Sequence, residues 1–159
     1  MKTSYIVIPG LTIVTMTIGS IFTAAGMAWY KTLILPTITP PDWVFSFVWT
    51  LLYTMITISV IYFWNNHKRS GKFNFIAFTF ALNGLLNIAW PYLFFYLHLM
   101  SISIINCILL TMSTLLLIGL LYKDCFYSAL LLVPYAAWTA FATILNWMIF
   151  MLNSKAPLQ

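Results

Sequence analysis

Acid is the scarcest chemistry in this chain. Of 159 residues only Asp42 and Asp124 are acidic, there is no glutamate, and both aspartates fall between apolar runs rather than inside them. Ion-coupled transporters carry protons or ions on carboxylates within the membrane, so a proton pump, a carboxylate-based hydrolase and an aspartate-gated channel are all disfavoured. Charge of either sign is nearly as rare, at 6% of residues, whereas soluble domains carry about 25%. The two cysteines, Cys107 and Cys125, stand about 27 Å apart along a helix at roughly 1.5 Å per residue, while a disulfide needs Cα atoms within about 7 Å. The two histidines, His67 and His98, sit at opposite ends of one predicted helix and offer no metal-ligand spacing. There is no glycine-rich phosphate loop. The seven basic residues are scattered over short connections with no concentrated stripe, which argues against nucleic acid as a partner.

What is present is apolar surface: 63% of residues are hydrophobic and 18% aromatic. No charged side chain occurs between Lys72 and Lys123, and a run of that length holds two membrane spans of about 20 residues each. The pattern predicts an all-α integral membrane bundle, residues 1–159 forming a single domain of five transmembrane helices at about 4–26, 43–66, 73–98, 102–122 and 127–152. The apolar run from Tyr5 to Met27 exceeds the roughly 7–15 residues of a signal-peptide core and is long enough to span. Lys2, His67, Lys68, Arg69, Lys72 and Lys123 fall on one side of this topology and only Lys31 and Lys155 on the other. By the positive-inside rule the N-terminus is expected in the cytoplasm.

The first connection, residues 27–42, is unusual. The stretch WYKTLILPTITPPDW, Trp29 to Trp43, contains Pro36, Pro40 and Pro41, which fix φ and remove backbone donors so that no helix runs through it. Rings at both ends favour a lipid–water boundary. It reads as a stiff lid at the membrane surface.

Three helical faces point toward it. Phe45, Trp49 and Tyr53 share a face of the second helix, Asn83, Asn87 and Trp90 one of the third, and Trp138, Ala142 and Asn146 one of the fifth. Taken singly, such stripes are usually packing, and membrane amides often join helices to one another. Their depths coincide, however, in the half beneath the 27–42 connection. A pocket there, with many rings, few amides and no buried charge, suits a large, flat, mostly apolar molecule. Ala77, Ala81 and Gly84 form a small-residue face on the third helix that permits close approach of a second copy.

These residues resemble a known family. WYKTLILPTITPPDWVFSFVWTLLYTM, LNGLLNIAWPYLFF and LLVPYAAWTAFATILN are similar to the motifs of the TspO/MBR family, the translocator proteins once called peripheral benzodiazepine receptors, and to its bacterial members in particular. The resemblance implies a five-helix bundle, usually a homodimer in the cell membrane, that binds protoporphyrin, haem and related tetrapyrroles. It also implies binding of isoquinoline-carboxamide or benzodiazepine ligands, with no obligatory cofactor. By motif, Trp49, Asn87, Trp90, Trp138, Phe141, Ala142 and Leu145 match pocket-lining positions, and Tyr30 and Pro40 match the covering loop. The sterol motif of animal members has a tyrosine and an arginine where this chain has Trp147 and Met151, so sterol recognition by that route is not expected. Three functions follow: a membrane receptor or sensor for porphyrins, a light-dependent enzyme degrading protoporphyrin with Trp49 and Trp138 as electron donors, or a passive carrier of porphyrin or other amphiphiles. For a porphyrin, Lys31 in the lid is a candidate partner of the propionates, with simple snorkelling at the interface the equal alternative.

Overall fold

The computed structural model describes residues 2–154. Within them the chain forms five long helices, each apolar enough to cross a membrane: α1 (Ser4–Tyr30), α2 (Asp42–Asn66), α3 (Gly71–Pro91), α4 (Met100–Leu121) and α5 (Phe126–Asn153). α1 continues four residues past the expected end at 26, because nothing after Met27 breaks a helix until the prolines, and the loop shortens to Lys31–Pro41. Pro41 caps α2 and Asp42 opens its first turn, where a negative charge meets the positive end of the helix dipole. Ser70 caps α3, its hydroxyl accepting the Phe73 N–H at 3.3 Å.

α3 does not end cleanly. Pro91 is followed by a π-helical turn, Tyr92–Tyr96, closed by the Leu97 N–H donating to the Tyr92 carbonyl at 2.9 Å. A proline and a widened turn together re-aim a helix. The chain then reverses through His98, whose φ of 57° is left-handed and whose ring stacks on Trp29 at 4.0 Å.

The helices close a ring in the order α1, α2, α5, α4, α3 and back to α1. Two small-residue contacts set its tightness. Ser59 and Ser128 each donate to the other's backbone carbonyl, at 2.9 and 2.8 Å, so α2 and α5 meet closely. Across the ring, Gly26 lets α1 rest on the backbone of Phe95 in the π turn. Two cores fill the bundle. One, around Phe63, Ile76, Leu117, Leu121, Leu132 and Tyr135, occupies the half toward the basic connections. The other, around Phe94, Phe95, Leu145 and Ile149, lies under the loop and includes Trp29, Tyr30, Leu33 and Phe45. Most remaining large apolar side chains, Phe47, Phe78 and Leu85 among them, point outward, as a protein dissolved in lipid requires.

At the basic end, Asp124 before α5 is ion-paired with Lys72 at the start of α3 and lies 3.5 Å from the His67 imidazole at the end of α2. The hydrogen bond from Lys72 holds the Asp124 carboxyl below the ordinary carboxylate range. Arg69 lies over the Phe73 ring at 3.9 Å. Lys155 lies outside the described residues.

Candidate functional site

Between α1, α2, α3 and α5, beneath the loop, lies a cavity of about 640 Å³. That is the size of sites that enclose drug-sized ligands, roughly 300–1,000 Å³. α2 contributes Phe45, Ser46, Trp49, Thr50 and Tyr53; α3 and the π turn contribute Asn87, Trp90, Pro91, Phe94 and Phe95; α5 contributes Trp138, Ala142, Leu145, Asn146 and Ile149. α1 supplies Met16, Gly19, Ser20, Thr23, Ala24, Met27 and Tyr30. Eight of these side chains are aromatic, and they contact one another. Trp49 and Trp90 lie nearly parallel at 6.4 Å, Trp90 and Phe94 at 5.9 Å, and Phe45 meets Trp138 edge-on at 5.8 Å.

Of the residues expected from sequence, Tyr30, Phe45, Trp49, Tyr53, Asn87, Trp90, Trp138, Ala142 and Leu145 line this one cavity. Three do not. Phe141 stands behind Trp138, ring to ring at 5.4 Å. Pro40 is half-buried in the loop, away from the wall. Asn83 is buried between helices, its amide donating to Ser113 Oγ at 2.8 Å and Thr114 Oγ1 at 3.0 Å.

That last contact decides how Asn87 is oriented. Ser113 and Thr114 both spend their hydroxyl protons on the Leu110 carbonyl, at 2.9 and 2.8 Å, so each accepts from Asn83. The Asn83 carbonyl oxygen is therefore the acceptor for the Tyr135 hydroxyl at 2.9 Å. Tyr135 in turn accepts from the Asn87 amide nitrogen. Every proton along the chain is assigned, and Asn87 keeps its carbonyl oxygen without a partner among the described residues. Asn87 is only 6% exposed and stands on the cavity wall.

Two hydroxyls of the wall are similarly one-sided. Thr23 and Thr50 donate to the carbonyls of Gly19 and Ser46, at 2.9 and 2.8 Å, and retain acceptor capacity. The indole N–H groups of Trp90 and Trp138 are buried without an acceptor, sealed from the cavity, so these residues offer carbon surface to it. Among the described residues the single charged one of the wall is Asp42, at the start of α2, and Lys31 is not part of it. Lys31 follows the last residue of α1 and is exposed.

The loop covers the site without lining it. Leu33 joins the core below, Pro36 is buried, and Asn153 at the end of α5 clasps Ile34. The Ile34 N–H donates to Asn153 Oδ1, and Asn153 Nδ2 donates back to the Ile34 carbonyl, both at 3.0 Å. On its remaining side the cavity is open. α1 and α2 are bonded at the basic end, Ser4 to Asn65 and Thr12 to Thr57, each at 3.0 Å. Farther toward the loop both helices instead present exposed wall residues, Ser20, Ala24, Ser46 and Thr50.

Phe94, Phe95 and Ile149 were not expected from sequence, although Phe94 is seven positions after Asn87 and Ile149 seven after Ala142, the spacing that keeps residues on one face. Asp42 carried no such signal.

Comparison with known proteins places the chain among relatives. The TspO/MBR family matches it over residues 6–152. A tryptophan-rich protein TspO of Bacillus cereus is 34% identical over 153 residues, covering 96% of this chain and 99% of that one. A tryptophan-rich protein TspO of Archaeoglobus fulgidus is 36% identical, covering 86% and 88%. The human translocator protein is 31% identical, covering 84% and 80%.

Proposed function

The chain belongs to the TspO/MBR family, and from that premise we propose that this integral membrane protein is a receptor or sensor for flat aromatic ligands. The ligands in view are tetrapyrroles such as protoporphyrin and neutral isoquinoline-carboxamide or benzodiazepine-type molecules. One observation carries the reading: eight aromatic rings from all four walls enclose a single cavity of about 640 Å³ between membrane helices. Stacking surface of this kind rewards polycyclic ligands. Haem belongs to the same ligand class, and Met16, Met27, Tyr30 and Tyr53 are the wall residues of a kind that can meet an iron.

The test is titration of the purified protein in lipid nanodiscs with protoporphyrin and with an isoquinoline carboxamide, reading quenching of tryptophan emission. Both should bind, each should displace the other, and Ala142→Phe should abolish both by filling the cavity. A folded Ala142→Phe protein that binds both ligands as before would place the site elsewhere.

A second reading has its own support, since Trp49, Trp90 and Trp138 all reach the same cavity. A photoexcited porphyrin held there can take one electron from the indole of Trp49 or Trp138; dioxygen then adds to the macrocycle as the electron returns to the indole radical cation, and cleavage of one ring C=C bond together with the O–O bond leaves both oxygen atoms as two carbonyls of an opened tetrapyrrole, with dioxygen the oxidant consumed and the indole restored. Illumination would then make the protein an enzyme acting on protoporphyrin. A passive carrier is the remaining alternative, and porphyrin flux across liposomes distinguishes it. We place the N-terminus in the cytoplasm of a bacterial cell, since Lys2, His67, Lys68, Arg69, Lys72 and Lys123 gather at one end. A homodimer through Ala77, Ala81 and Gly84 is supported by the exposed position of Ala81 and the open space at Gly84.

A further inference from the structure

The cavity is continuous with a second hollow. Three residues of its α1 wall, Met16, Ser20 and Ala24, also line a groove of about 480 Å³ on the outer side of the same helix, together with Ile13, Thr17 and Ile21. All six lie on one stripe of α1, at helical spacing. Five are exposed and Met16 is half-buried, so the stripe stands open toward lipid. The groove starts at the cavity mouth, where α1 faces Ser46 and Thr50 of α2, and ends at Ile13, beside the bond from Thr57 to Thr12 that ties the two helices at 3.0 Å. From Ala24 to Ile13 it runs about 16 Å at roughly 1.5 Å per residue.

This direction is that of an amphiphile in one leaflet. The cavity lies under the loop, where Trp29 and Trp43 mark the lipid–water boundary, and it holds the polar groups: the hydroxyls of Tyr30, Tyr53, Ser20 and Ser46 and the amide carbonyl of Asn87. The groove leads from there toward the middle of the membrane, and Ile13, Met16 and Ile21 make most of it carbon. A ring in the first and a chain in the second keep the usual order, polar end at the boundary and aliphatic end inward.

We propose that this site takes tetrapyrroles bearing one long aliphatic chain, with the macrocycle in the cavity and the chain lying along α1 from Ala24 to Ile13. The proposal rests on reading the cavity as a tetrapyrrole site, and adds esterified macrocycles to its ligand class. Lipid tails are as apolar as the groove, so leaving them gains the chain little. The bound ring instead holds the chain beside the groove at high effective concentration. The signature of the chain is therefore its position rather than added tightness.

The experiment uses a protoporphyrin monoester whose alkyl chain reaches the length of the groove and ends in a nitroxide, with the same nitroxide-tipped chain lacking the ring as comparator. Isoleucine methyl resonances are followed in nanodiscs, and ring occupancy is read from tryptophan quenching by the reduced, diamagnetic ester. The bound ester should broaden the Ile13 and Ile21 methyls several-fold more than that of Ile108, which is also exposed but lies on α4, two helices away around the ring. The ringless chain should broaden all three alike, and excess unlabelled protoporphyrin should erase the preference. Thr17→Phe, filling the groove on an exposed face, should cut the broadening of Ile13 several-fold per bound ring. An ester that occupies the cavity and broadens Ile13 and Ile108 equally overturns the proposal, as does a protein that binds protoporphyrin and excludes the ester. If neither ester nor protoporphyrin quenches tryptophan, the cavity is not a tetrapyrrole site and both readings fall together.

Discussion

Replacing Gly26 with alanine should damage this protein more than replacing any of its exposed glycines, and the reason is a backbone rather than a side chain. A Cβ at Gly26 would lie 1.9 Å from the Phe95 carbonyl oxygen, 2.4 Å from its carbon and 2.7 Å from its Cβ. No rotamer change relieves such a contact. α1 and the π turn would have to part by about 1.5 Å, given an ordinary contact of roughly 3.4–3.5 Å, and a gap of 0.5–1 Å already forfeits about a quarter to a half of each contact's attraction. Overpacking of this sort costs about 1–3 kcal/mol, against which alanine's better helix propensity returns only about 0.5–1 kcal/mol. Because α1 also forms one wall of the cavity, ligand affinity should fall together with stability. Gly10→Ala is the internal control, since nothing lies within 4 Å of a Cβ there and the propensity gain stands alone. Unfolding midpoints in detergent, followed by circular dichroism, should separate the two variants in opposite directions from wild type. If Gly26→Ala unfolds with Gly10→Ala, the close approach of α1 to Phe95 is wrong.

Changing both Trp49 and Trp138 to phenylalanine should keep the fold and much of the porphyrin binding while slowing light-driven loss of porphyrin; an unchanged rate would remove tryptophan from that chemistry. Ala81→Leu should weaken a homodimer measured by crosslinking in bilayers, and an unaltered dimer would move the interface off α3. Asn153→Leu removes both bonds to Ile34, worth about 1 kcal/mol each, so proteolysis and amide exchange in the loop should accelerate while the helices stay protected. Asp124, with its carboxyl held low by Lys72, adds stability above the ordinary carboxylate value near about 4. That contribution is lost as pH falls through the lowered folded value, so the unfolding midpoint of wild type should exceed that of Asp124→Asn at neutral pH and converge on it in acid.

The five spans could be read from the chain because lipid imposes long uncharged runs, and because the breaks fall at charged or proline-containing connections. The ends of helices were less legible. α1 runs on to Tyr30 since its residues neither favour nor forbid a further turn, and the π turn after Pro91 leaves no mark in composition. Faces were legible to within one rotation step. Asn83 and Asn87 stand on one stripe, yet only the packing of α4 and α5 shows that the first ties helices together and the second reaches the cavity wall. Phe141 shows the same limit, being adjacent to wall residue Ala142 and turned behind Trp138. Asp42 was not legible as a wall residue because its place depends on where the first turn of α2 enters the bundle, which no spacing rule states.

The open side between α1 and α2, with Ser20, Ala24, Ser46 and Thr50 exposed along it, changes what a dissociation constant means for this protein. A ligand arriving through that side comes from dissolved lipid rather than from water, so its activity is a mole fraction in the bilayer. Adding empty vesicles at fixed total ligand dilutes it without touching the protein. Apparent affinities will therefore rise and fall with the lipid-to-protein ratio, and two ligands of equal intrinsic fit will rank by their partition coefficients until each is expressed per mole of lipid.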